Sequence, residues 1–204
     1  MAWKDLTPKT FASIRELNGI SARTQEEHYE LYKGYVGKVN EIQKKLDAVD
    51  RTTANQIYSD LRSLRVDYSF AIGGMKNHEI YFGHLGGKGG TPSGKLMELI
   101  ARDFPSYDAW LADFKASGLA ARGWAWLAYD HDLGMLTTVM GDAQNTFPLW
   151  NATPILALDV YEHAYWLDYG RARAKYIDAF FNNLDWNVVA ASLDRALAMQ
   201  PAGK

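Results

Sequence analysis

Apolar positions recur with helical period from Thr24 to Ala48 and again from Thr53 to Leu85, and Asp50-Arg51-Thr52 between them reads as a turn. The spacing predicts two long helices folded back as an antiparallel hairpin. Gly86-Gly87-Lys88-Gly89-Gly90-Thr91-Pro92-Ser93-Gly94 follows as the strongest breaker cluster of the chain. A lobe boundary is placed there, dividing residues 1–88 from 89–204. As a phosphate cradle the cluster is unsuited, because it follows a helix instead of a strand and lacks the spaced glycine fingerprint.

Beyond the boundary, Gly94 to Phe104 and Ser106 to Ala116 read as short helices, the second capped by Ser106. The period then changes. Trp124 to Tyr129 and Leu136 to Met140 are aromatic, β-branched or apolar runs joined by Asp130-His131-Asp132-Leu133-Gly134, a hairpin signal. A third strand, Ile155 to Leu158, delivers Asp159 at its end, and helices return from Glu162 to about Met199. The expected fold is α+β: an N-terminal antiparallel α-hairpin followed by an α/β lobe with a three-stranded antiparallel sheet. No internal repeat or low-complexity tract interrupts it.

The chemistry concentrates in Leu158-Asp159-Val160-Tyr161-Glu162-His163-Ala164-Tyr165. A carboxylate and an imidazole four residues apart face the same way if this run opens a helix. Burying Asp159 in so apolar a run costs several kcal/mol without a compensating partner, and a metal ion is one such partner. A cap at Asp159 with a core histidine at His163 is the equal alternative from this pair alone. Only five histidines exist, and His28 and His78 fall on the two separate predicted helices. Together with Asp159 and His163 they offer three nitrogens and one carboxylate. His84 and His131 have no partner motif and read as structural or exposed.

Composition narrows the classes. With 22 basic against 24 acidic residues the chain is close to neutral, which argues against a nucleic-acid or membrane-surface role. No apolar run reaches the ~18 residues of a membrane span, and Met1-Ala2-Trp3-Lys4-Asp5 lacks the segments of a secretory signal, so a cytoplasmic protein is expected. Cysteine is absent, so a metal must be held by nitrogen and oxygen.

Gly19-Ile20-Ser21 before His28, then Asn77-His78, Gly123-Trp124-Ala125-Trp126-Leu127 and Asp159-Val160-Tyr161-Glu162-His163-Ala164-Tyr165, together resemble the iron/manganese superoxide dismutase family in order and spacing. The resemblance implies the same two-lobed architecture, with His28, His78, Asp159 and His163 as ligands of one Mn or Fe ion per chain. It implies a redox reaction in which two superoxide anions become dioxygen and hydrogen peroxide. Gln144 matches the glutamine that manganese-type members bring to the metal from the second lobe. Iron-type members usually carry theirs four residues before the second histidine, where this chain has Gly74, so manganese, or either metal, is expected.

Trp124 matches the wall of the family's pocket, and Arg173 an arginine near the substrate funnel, although Ala174 stands where a proline usually follows. Glu162 matches a glutamate that pairs with the ligand histidine of a second subunit, which implies a homodimer, with tetramers as a further assembly. Two places at that contact depart from the family: Tyr32 stands for a histidine and Trp166 for a tyrosine, so a more apolar seam is expected.

The family's gate tyrosine stands eight residues after the first histidine, whereas Tyr35 follows His28 by seven. At about 100° per residue, seven steps of a regular helix bring Tyr35 within roughly 20° of His28 and four bring Tyr32 within roughly 40°. Tyr35 is therefore expected to gate the site without a helical bulge, with Tyr32 lining the funnel beside it. Two other readings remain open: a metal-dependent hydrolase, for which no general base or oxyanion motif is found, and a metal-binding family member without turnover.

Overall fold

The computed structural model describes residues 3–199; residues 1–2 and 200–204, which the two expected lobes include, lie outside the described residues. Two long antiparallel helices come first, α1 (Ala22–Ala48) and α2 (Asp60–His84). Ser21 caps α1, its hydroxyl accepting from the Thr24 N–H. The helix then runs as unbroken α-helix for 27 residues, without a bulge between His28 and Tyr35.

The second helix begins later than its apolar period predicts. Residues 50–59 are held as a loop by their own short polar side chains. Asp50 accepts from the Thr52 N–H, Asn55 accepts from the N–H groups of Ile57 and Tyr58, and the Ser59 hydroxyl caps α2 by accepting from the Arg62 N–H. Asn, Asp and Ser offer the backbone these local bonds in place of helical ones, which periodicity does not register.

The glycine cluster crosses the chain between the last two helices. Gly86 and Gly87 both donate to the Asn183 carbonyl, and a Cβ at Gly87 would lie 2.3 Å from the Leu184 carbonyl oxygen. Only glycine permits that approach, so this segment is a packing device and no phosphate loop.

Helices α3 (Gly94–Asp103) and α4 (Tyr107–Ala120) follow, α4 capped by Ser106 as expected and running further than Ala116. Strands β1 (Trp124–Asp130), β2 (Met135–Gly141) and β3 (Ala152–Asp159) make an antiparallel sheet in the order β2-β1-β3. The third strand is three residues longer at its start than expected. It includes Pro154 because β3 is an edge strand whose outer side needs no ladder donor, and the register against β1 shifts between Leu127 and Ala128 beside it. Every residue of the central strand is buried, with α3 and α4 packed on one part of the sheet and α2 and α7 on β3. After β3 come a short 3-10 turn (Glu162–Ala164) and helices α5 (Trp166–Tyr169), α6 (Arg173–Asn182) and α7 (Trp186–Ala198).

Candidate metal centre

The four residues singled out by composition and spacing meet in one place. His28 comes from the second turn of α1, His78 from α2, Asp159 from the end of β3 and His163 from the 3-10 turn beyond it, and their ligand atoms all lie within 4.8 Å of one another. One oxygen of Asp159, Oδ2, is approached by His163 Nε2 at 3.0 Å, His28 Nε2 at 3.1 Å and His78 Nε2 at 3.4 Å. The Val160 N–H donates to the Gly123 carbonyl, which ties the end of β3 beside β1, and the chain then turns so that a strand residue and one four positions on meet as a helical pair would.

The arrangement fits a metal ion. His78 Nδ1 stands 2.6 Å from the Gly74 carbonyl, which can only accept, so the proton sits on Nδ1 and Nε2 presents a lone pair. That Nε2 is buried without a hydrogen-bond partner, as is Nδ1 of His28. Burial first, and then the neighbouring imidazole charges, push His78 down to about 3 and lower His28 as well, so both are neutral ligands near pH 7. Burial alone would raise the Asp159 carboxyl, but the imidazoles of His163 and His28 hold it well below the usual carboxylate range. The other oxygen, Oδ1, accepts from the Tyr161 N–H at 2.9 Å and so fixes which edge of the carboxylate faces the histidines. Three imidazoles and one carboxylate suit a divalent first-row ion and do not choose sharply among Mn, Fe, Co and Zn.

Aromatic rings close the site. Trp124 stands edge-on to His78 with centroids 5.3 Å apart, the Tyr35 ring lies 5.4 Å from His78, and Tyr161 stacks on His163 at 5.3 Å. Gln144 reaches in from the segment after β2. Its Oε1 accepts from Trp124 Nε1 at 3.1 Å, its main-chain carbonyl accepts from Asn77, and its Nε2 is buried without a hydrogen-bond partner. Burial, Asp159 and Tyr161 push the Tyr35 hydroxyl up to about 12, and only the adjacent Gln144 amide draws it down.

Tyr32 is directed elsewhere. Its ring packs among Phe11, Tyr29 and Phe82, and its hydroxyl accepts from the Lys9 N–H and donates to Glu79, so no ring contact joins it to the three histidines among the described residues. An angular offset of roughly 40° from His28 is enough for the neighbouring helix, through Glu79, to capture it.

Arg173 donates to the carbonyls of Ala121 and Leu119 and, through Nε, to the Tyr165 hydroxyl. With Arg122, Tyr161, Glu162 and His163 it lines an open depression of about 470 Å³, the side from which solvent reaches His163. Glu162 in that lining is exposed in the single chain, and so is Trp166, three residues after His163, by 48%. His131 bonds Thr153, and His84 is buried at the end of α2.

Sequence reading passed over Tyr176. Its hydroxyl donates to the Asp159 carbonyl at 2.8 Å and lies 3.1 Å from the Tyr81 hydroxyl, bracing the ligand strand from α6. No local pattern marks a tyrosine 17 positions away as a neighbour of Asp159.

A helical hairpin and a helix-flanked antiparallel sheet jointly bring three histidines and one aspartate together as a candidate site for a single metal ion. Residues 92–192 match the family model described as iron/manganese superoxide dismutases, C-terminal domain. The chain is 43% identical to "Superoxide dismutase [Fe]" of Aquifex pyrophilus, over 98% of this chain and 96% of that protein. It is 36% identical to "Superoxide dismutase [Mn] 2" of Haloferax volcanii, over 88% and 90%, and 37% identical to "Superoxide dismutase [Fe]" of Cupriavidus metallidurans, over 89% and 92%. The chain belongs to the iron/manganese superoxide dismutase family.

Proposed function

We propose that this protein dismutes superoxide at one manganese or iron ion held by His28, His78, Asp159 and His163, taking up two protons for every two superoxide anions and releasing dioxygen and hydrogen peroxide. The observation that carries the reading is the convergence of three histidine nitrogens on one oxygen of a fully buried aspartate. When bound, the ion would supply the redox couple, accepting an electron from one superoxide and returning it to another. Zinc could not do so.

The chain's own residues do the rest. Gly74 fixes the His78 tautomer, and Tyr161 fixes the Asp159 edge through its N–H. Trp124, Tyr35 and Tyr161 exclude bulk water, and the buried Gln144 Nε2, adjacent to the Tyr35 hydroxyl, makes no hydrogen bond, so it can orient a small polar ligand beside that hydroxyl. The Tyr35 hydroxyl keeps its proton across the physiological range and serves as the gate and donor beside Gln144. Arg173, whose bonds go to neutral carbonyl and hydroxyl oxygens, gives the approach at His163 positive charge for an anionic substrate, whereas Arg122 stands 3.7 Å from the Asp142 carboxylate.

Gln144 supports manganese, or use of either metal. Glutamine at position 74 is incompatible with Tyr35 as it stands, because a Cβ at Gly74 would lie 2.8 to 2.9 Å from the Tyr35 ring carbons. The relatives bear both metals in their names. Exposed Glu162 and Trp166 beside the approach support a homodimer that closes there, with Glu162 reaching the partner's ligand histidine. The experiment is metal analysis with dismutase activity on protein reconstituted separately with iron and with manganese. Inactivity of both stoichiometrically loaded forms would overturn the reading.

A further inference from the structure

Away from the metal, a groove of about 420 Å³ runs between α2, β3 and α7 and is crossed at one end by Lys9 from the segment before α1. Its charged lining is Lys9, Lys76, Glu79 and Arg195. Glu79 is already engaged by the Lys9 ammonium and the Tyr32 hydroxyl, so it adds no free negative charge. Lys76 and Arg195 have no acidic partner among the described residues. Arg195 donates instead to the Ser192 hydroxyl at 2.9 Å, and Ser192 in turn donates to the Val188 carbonyl. A neutral oxygen thus holds the guanidinium at the groove without neutralising it.

His84 lines the same groove. The residue is only 2% exposed, and its buried Nδ1 has no hydrogen-bond partner. Buried imidazoles are normally bonded, and one that is not is a place to look for a missing ligand. Burial first, and Arg195 second, hold its pKa down to about 3, which an anion seated against Arg195 would partly relieve. The rest of the lining is apolar at Ile80, Pro154 and Val188. A bare phosphate would occupy a small part of this volume, and sites for organic ligands span about 300–1,000 Å³ with apolar walls and a few convergent polar groups.

We propose that this groove binds a phosphomonoester of up to mononucleotide size, its phosphoryl group held by Arg195 and Lys76 beside His84 and its organic part lying against Ile80, Pro154 and Val188. Arginine forks suit a phosphoryl dianion, and the lysine adds a point charge. Because the groove joins α2 to β3 and α7, the ligand would also tie the helical hairpin to the sheet lobe. The site is separate from the metal and does not depend on turnover.

The test is titration calorimetry on metal-loaded protein at fixed ionic strength, with adenosine monophosphate in one arm and inorganic phosphate in the other. One adenosine monophosphate per chain should bind with a dissociation constant below about 1 mM, and inorganic phosphate at least about tenfold more weakly. Arg195→Gln and Lys76→Gln should each weaken the nucleotide about tenfold or more, the loss expected for one charge-assisted bond, with metal content and dismutase activity unchanged. Lys33→Gln, at a lysine paired with Glu30 on α1, should leave binding as it was. Absence of saturable heat up to about 10 mM in both arms would overturn the proposal. So would equal affinity for the two ligands, or full nucleotide affinity in Arg195→Gln.

Discussion

Asp159 is the residue on which the site turns, because one of its carboxylate oxygens is shared by three imidazoles while the other is committed to the Tyr161 N–H. Removing any one of the four proposed ligands leaves the rest uncompensated in a dry setting. His163→Ala should lower metal content and activity together, as measured by elemental mass spectrometry beside a dismutase assay. Stoichiometric metal with full activity in that variant would refute the ligand set. Gln144→Leu should keep fold and metal loading but change activity with one metal more than with the other, since only the amide beside Trp124 and Tyr35 is lost. Tyr35→Phe should slow turnover and alter peroxide inhibition at equal metal content, and Tyr32→Phe should not, because Tyr32 is bonded to Lys9 and Glu79. The opposite result would move the gate to Tyr32. The tyrosine registers were legible from 100° helical steps; the capture of Tyr32 by another helix was not.

Among the elements, α2 carries more of the site than its one histidine suggests. Gly73 lets the segment after β2 touch the helix: a Cβ there would lie 2.2 Å from the Gln144 carbonyl oxygen, a backbone atom that cannot swing aside. Gly73→Ala raises helix propensity by about 1 kcal/mol, yet the overlap should outweigh that gain, since overpacking of this kind costs about 1–3 kcal/mol. Calorimetry should find a lower Tm, and activity should fall as Gln144 shifts; an unchanged or higher Tm would show that the segment yields freely. Nothing in the sequence marks Gly73 as this contact point, and Gly74 stands out there only as the place where iron-type members usually carry their glutamine. Strand and helix identities were readable because aromatic and β-branched runs and 3.6-residue periods are local properties. The late start of α2 and the extra length of β3 were not, because Asx-type bonds and an edge position that tolerates Pro154 depend on neighbours in space.

Across the whole molecule, metal removal should lower Tm, because the proposed ion would be held only where α1, α2, β3 and the 3-10 turn meet. Trp166→Ala should weaken the proposed dimer, which sedimentation at micromolar concentration checks; a monomeric parent protein would sink the dimer itself. Metal-loaded protein should also lose stability in acid through His84. Its folded pKa, about 3, lies below the ordinary value of 6.5, so the unfolded chain binds more protons once the pH drops below about 6.5. The contribution is therefore fully present above 6.5 and lost as pH falls towards 3, at up to about 1.4 kcal/mol per pH unit. His84→Gln should flatten that limb in chemical denaturation measured between these limits; an unchanged slope would place the proton uptake elsewhere.

The sequence by itself determined the fold class and the identities of the four residues that meet. Helical and strand periods are written in neighbouring residues, and the ligand set follows from motifs whose order and spacing resemble one family, since five histidines and 24 acidic residues alone leave several choices open. Tertiary structure decided which edge of Asp159 faces the imidazoles, which His78 nitrogen is free, how closely Gln144 and Tyr35 approach through Gly73 and Gly74, and that Tyr176 braces the ligand strand. Each of these depends on contacts between elements far apart in the chain, fixed to a few tenths of an ångström by packing, and no local pattern encodes a distance of that kind.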